Sequence, residues 1–137
     1  MIVLDTDVFS ELMRPNPDAT VQAWAKPVAD ELFLTSVTVA EIHFGIMRMP
    51  GGRRRYDLTC EAEALLEAFA ERVLPFDRLA AVCYATSTVS RRAGGRPISV
   101  FDGQIAAICQ AQGADLATRN VKDFEHLGLT VIDPWNP

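Results

Sequence analysis

The sequence predicts an α/β fold, a parallel sheet covered by helices on both faces. Two observations carry that expectation. Short apolar runs, among them Ile2–Leu4, Leu32–Leu34 and Val73–Leu74, read as strands buried on both sides. Longer stretches with helical spacing lie between them, so strands alternate with helices.

Taken in order, Ile2–Leu4 is a first short strand, and Val8–Met13 is a helix closed by Pro15-Asn16-Pro17. Asp18 caps a second helix through Val21, Trp24 and Ala25. Leu32–Leu34 is a strand. Thr38–Met49 carries Val39, Ile42, Phe44, Ile46, Met47 and Met49 at helical spacing and stops at Pro50-Gly51-Gly52. Leu58–Arg72 is amphipathic, with Leu65, Leu66 and Phe69 inward. Val73–Pro75 is a brief strand, and Leu79–Arg91 is a helix broken by Gly94-Gly95. Ser99 opens a helix carrying Phe101, Ile105, Ile108 and Cys109, ended by Gly113. Ala114–Thr118 is a strand, Lys122–Leu127 a short helix stopped by Gly128, and Thr130–Ile132 a closing strand.

The 137 residues fit one domain, 1–137, long enough to bury a core. A composition 49% hydrophobic and 23% charged is that of an ordinary globular protein. No apolar stretch approaches the roughly 18 residues that span a bilayer. No basic segment precedes the first apolar run, so no signal peptide is expected. Cys60, Cys83 and Cys109 are odd in number and form no C-x-x-C pair, and His43 and His126 stand alone. Zinc-finger and disulfide frameworks are therefore excluded, and reduced thiols in the cytoplasm are the expectation. The net charge of −5 argues against a nucleic-acid partner, but Arg53-Arg54-Arg55 and Arg91-Arg92 with Arg96 are local basic clusters. Solvated helix ends and loops explain those arginines equally well.

The acids are the informative residues. Asp5 ends the first strand, at the edge of a parallel sheet where ligands bind. Asp7 reads as the N-cap of the following helix, a role that Asp5, two residues earlier, is not expected to fill. Glu41 in Thr38-Val39-Ala40-Glu41 and Asp102 in Ser99-Val100-Phe101-Asp102 both match a capping box. Each acid also sits in the first turn of a helix near the sheet, so the three reach one edge. The segment Thr118-Arg119-Asn120-Val121-Lys122-Asp123 follows another strand to the same edge. It brings a hydroxyl, an amide and an acid, although Asp123 also suits a helix N-terminus. Clustered carboxylates raise one another's pKa values. A hard divalent cation with oxygen ligands, Mg²⁺ or Mn²⁺, resolves the repulsion and suits phosphoryl chemistry.

Four segments in this order, LDTDVFSEL, TSVTVAEIHFGI, SVFDGQIAA and LATRNVKDF, resemble the PIN-domain ribonucleases. Within them the chain is similar to the VapC-type toxins of toxin–antitoxin pairs, and its tail Val131–Asn136 to their FitB-like branch. The resemblance covers nearly the whole chain and implies a five-stranded parallel sheet. It implies a Mg²⁺- or Mn²⁺-dependent endoribonuclease that cuts RNA with a metal-activated water and leaves a 5′-phosphate. The family's core acids fall on Asp5, Glu41 and Asp102. The fourth polar position falls on Asp123 or Asn120, with Asp123 as the acid and Asn120 as a supporting amide. Thr118 is a supporting hydroxyl. Asp7 departs from the asparagine of many relatives. The resemblance also implies a homodimer and a VapB/FitA-like antitoxin whose C-terminal segment occupies the acidic site.

Two competing readings remain. Asp5-Thr6-Asp7-Val8 fits the D-x-D-x-V start of haloacid-dehalogenase-like phosphohydrolases, with Asp5 as nucleophile and Asp7 as general acid. That design also needs a lysine and a late acidic pair. The chain has only Lys26 and Lys122, and the design leaves Glu41 and Asp102 without a role. A PIN-like module that binds RNA or a partner without cutting is the other.

Overall fold

The computed structural model describes all residues, 1–137. Five strands, β1 (Ile2–Leu4), β2 (Leu32–Thr35), β3 (Val73–Leu74), β4 (Asp115–Ala117) and β5 (Val131–Ile132), form one sheet in the order β3-β2-β1-β4-β5. Every pairing is parallel. The six helices are α1 (Thr6–Met13), α2 (Ala19–Ala25), α3 (Ser36–Met47), α4 (Arg53–Ala68), α5 (Arg78–Ala93) and α6 (Val100–Gln112). Short 3-10 turns occupy Lys26–Glu31 and Val121–Phe124.

The apolar runs Ile2–Leu4 and Leu32–Leu34 became inner strands buried on both faces, whereas Val73–Leu74 is a half-buried edge strand. Side chains alternate across a strand. Ile2 and Leu4 join Leu32, Leu34, Phe9, Val21, Ile42 and Ile46 in one apolar cluster. Val3 joins Leu116, Ala80, Ile105, Ile108 and Phe124 in a second, on the other face. Cys109 is buried in that second core, where burial, seconded by the charge of Asp5, pushes its thiol up to about 12. Cys83 is half-buried and Cys60 exposed, and all three are free.

The chain visits β1, β2 and β3 outward in one direction, then returns to lay β4 on the other side of β1. The carboxyl ends of β1 and β4 therefore flank the crevice where connections diverge, the usual ligand position in open α/β sheets.

Several boundaries differ from those the sequence suggests. Helix α4 begins at Arg53, five residues before Leu58, because Gly52 at φ 146° turns the chain and three arginines, good helix formers, follow it. It ends at Ala68 because Arg72 ties the exit, donating to the carbonyls of Ala29, Leu32 and Ala68. Phe44 and Met47, two of the apolar residues at helical spacing, are 65% and 68% exposed, since α3 turns Ile42 and Ile46 to the core. The expected helix at Lys122–Leu127 is a single 3-10 turn, because His126 takes a left-handed conformation (φ 62°) that no helix continues through.

Candidate active site

Asp5 follows β1 directly and is 5% exposed. One carboxylate oxygen accepts from the Thr118 hydroxyl at 2.7 Å, and the other from the Thr6 amide at 2.8 Å. Thr118, fully buried, comes immediately after β4, so the bond spans the divergence of the two strands. The Thr118 hydroxyl in turn accepts from the Asn120 amide at 3.1 Å, which fixes the loop beyond it.

Asp5, not Asp7, is the N-cap of α1. The helix starts at Thr6, two residues earlier than expected, because the strand passes into it with no intervening turn. Asp7 is left in the first turn, and its Oδ2 accepts from the Arg119 amide at 3.1 Å and the Asn120 side-chain amide at 3.3 Å. Its Oδ1 is buried and has no hydrogen-bond partner.

Glu41 is likewise no capping acid. Thr35 caps α3, accepting from the Thr38 amide at 3.0 Å, so the helix starts before Thr38 and Glu41 falls in its second turn. There it accepts from the Thr6 hydroxyl at 2.7 Å, joining α3 to the start of α1. Ser99 does cap α6, accepting from the Asp102 amide at 3.2 Å, which holds Asp102 in the first turn. Asp102 and the exposed Asp123 share a cavity of about 150 Å³ with Arg91, Pro97, Ile98 and Ser99.

Electrostatics ties these acids into one group. Burial, then the charge of Asp7, pushes Asp5 up to about 7 against the pull of its two donors. Asp7 is raised by burial and by Asp102, with the Arg119 amide opposing. Glu41 is raised by burial and by Asp102 and Asp7, with the Thr6 hydroxyl opposing. Asp102 is raised by burial and by Asp123, with Ser99 opposing. None of these acids takes part in an ion pair.

Such a set fits a hard divalent cation in kind. Its donors are all carboxylate oxygens, none of its acids is in an ion pair, and it contains a buried orphan oxygen on Asp7. As the side chains stand, no three of them are close enough together to hold one ion, so closing on a cation requires rotation of the acids.

The fold thus brings Asp5, Asp7, Glu41, Asp102, Thr118 and Asn120 to one sheet edge, with Asp123 reaching it through Asp102 alone. Sequence reasoning missed Thr6, whose amide serves Asp5 and whose hydroxyl serves Glu41. Of the basic cluster named in the sequence, Arg91 is 7% exposed, so the solvated explanation fails for it, and it grips the carbonyls of Arg96, Asp123 and Glu125. A cation at the end of an amphipathic helix looks like surface, and only the folded loops reveal its burial.

Comparison with known proteins places the whole chain among relatives of one family. The chain is 44% identical to VapC ribonuclease Y4jK of Sinorhizobium fredii, with 100% of this chain and 99% of that protein covered. It is 35% identical to Toxin FitB of Neisseria gonorrhoeae, with 99% of each covered. The crystal structure of FitAcB from Neisseria gonorrhoeae superposes with a TM-score of 0.91 at 34% identity, covering 100% of both chains. The PIN-domain model matches residues 2–128, which removes the dehalogenase-like reading of Asp5 and Asp7: the chain belongs to the PIN-domain family.

Proposed function

We propose that this protein is a Mg²⁺- or Mn²⁺-dependent endoribonuclease and the toxin of a type II toxin–antitoxin pair. One observation carries the reading. Mutually repelling carboxylates, Asp5 buried and Asp7, Glu41 and Asp102 half-buried, gather where β1 and β4 diverge, with no ion pair to neutralise them. Names borne by full-length relatives, VapC ribonuclease and Toxin FitB, support it.

In this reading Asp5, Glu41, Asp102 and Asp123 hold the cation or its waters. Bound there, the ion supplies charge neutralisation on a phosphodiester and a lowered pKa for attacking water. Thr118 and the Thr6 amide pull the Asp5 pKa down against its burial, since hydrogen bonds to the charged form favour it. The Thr6 hydroxyl aims Glu41 at the same point. Asn120 and the Arg119 amide hold one oxygen of Asp7 and leave the other free to add a contact.

The partner is a VapB/FitA-like antitoxin whose C-terminal segment enters the acidic site, because a guanidinium pairs bidentately with carboxylates. A homodimer in the cytoplasm belongs to the same reading. No helix is long and apolar enough to cross a membrane.

The test is cleavage of structured RNA by purified protein with Mg²⁺ or Mn²⁺, beside an EDTA control and Asp102→Asn. Metal-dependent products bearing 5′-phosphates are expected from the native protein alone. A folded, fully active Asp102→Asn overturns the site. RNA binding without cleavage by the native protein favours the non-catalytic module.

A further inference from the structure

Two cavities share Arg91. One is the acidic cavity of Asp102 and Asp123. The other, of about 320 Å³, is lined by Ser90, Arg91, Gly94, Arg96 and His126 and has no apolar lining residue. Its volume is at the lower end of small-ligand sites. His126 is the only non-glycine residue with positive φ, and it lines this cavity.

Arg91 is a buried cation in no ion pair, although Asp102 and Asp123 share one of its cavities. Its Nε donates to the Arg96 carbonyl at 2.7 Å, its Nη2 to the Asp123 carbonyl at 3.1 Å, and its Nη1 to the Glu125 carbonyl. A guanidinium has five N–H donors, so three bonds leave two. Carbonyl dipoles satisfy donors without cancelling a whole charge, and a buried unpaired charge is costly. The only acid near Arg96 is Glu125, at 3.9 Å, and both side chains are about half exposed, so that pair is weak. Two arginines, with a histidine and a serine, lining a cavity that has no apolar residue suit a phosphate, which arginine takes bidentately.

We propose that this cavity is a phosphate subsite for the RNA strand, receiving a phosphate that neighbours the one at the acids. The inference rests on the ribonuclease reading. The acidic centre repels a polyanion, and a basic subsite sharing a wall with it offsets that repulsion and sets which phosphate reaches the acids.

Arg96→Gln is the variant of choice, because Arg91 grips the main-chain carbonyl of Arg96 and not its side chain. The probe is a single-stranded RNA oligonucleotide spanning a site that the native protein cuts. Its KM is expected to rise roughly tenfold, the value of one charge-assisted contact, while kcat stays within about twofold. The slope of log K against log salt for binding in EDTA should become shallower by about 0.7. A neutral methylphosphonate at the neighbouring linkage should cause the same loss in the native protein and little more in Arg96→Gln. Unchanged KM and salt slope in a folded, cutting Arg96→Gln overturn the subsite and leave the ribonuclease reading intact. Protection of the native protein alone by inorganic phosphate, with RNA KM unmoved in the variant, makes this a free-anion site and also overturns it. A native protein that neither cuts nor binds RNA defeats both readings.

Discussion

Asp5 accepts a hydroxyl and an amide and faces no cation, and its folded pKa near 7 lies far above its ordinary value of 3.8. The unfolded chain therefore releases this proton at lower pH than the folded one. Between about pH 4 and 7 the native state binds more protons, so stability falls as pH rises and levels off above pH 7. About three pH units at 1.36 kcal/mol each bound the loss at roughly 4 kcal/mol. Asp7, Glu41 and Asp102 act in the same direction. In EDTA at pH 7.5, Asp5→Asn is expected to melt several degrees above the native protein, a gap that closes at pH 4. Mn²⁺ should raise the melting temperature of the native protein only. A less stable Asp5→Asn at pH 7.5 contradicts this account of the site. Thr118→Val removes a donor that holds the Asp5 pKa down, so the rising limb of the pH–cleavage profile should move to higher pH. The importance of Asp5 is legible in the sequence because an apolar run ends on it. The division of labour between Asp5 and Asp7 is not, because it depends on where the helix begins.

At the scale of elements, the start of α6 is set by its contact with α5. A Cβ on Gly103 would lie 2.9 Å from Tyr84 Cε2 and 3.4 Å from Ile98 Cγ2. Gly103→Ala should therefore cost about 1–3 kcal/mol by overpacking and displace the adjacent Asp102, lowering kcat. A melting curve and kcat unchanged from the native values would show that Tyr84 yields freely. Arg91 fixes the opposite wall, tying α5 to the loops before α6 and after Asp123. Arg91→Lys keeps the charge but loses the fork. It should destabilise the fold and lower cleavage together, as thermal melts and rates of the same sample would show. Helices were legible from apolar spacing and caps, as Asp18 and Ser99 illustrate. The extension of α4 back to Arg53 was not, because arginines carry no apolar period.

For the whole molecule, strand type was legible and strand order was not. Buried parallel strands are short and apolar throughout, which marks Ile2–Leu4 and Leu32–Leu34 from composition alone. That β4 returns beside β1, so that Thr118 meets Asp5 across 113 residues of sequence, is a property of the packed sheet. That return makes separate acids into one centre, and the centre's chemistry depends on a cation that the acids must close upon. The most direct measurement is calorimetric titration of Mn²⁺ into native protein, Asp5→Asn and Asp102→Asn between pH 6 and 8. Native binding is expected to strengthen with pH and to release protons, with both variants losing most of the affinity. Equal affinities for all three proteins, independent of pH, would contradict a metal centre built on these acids.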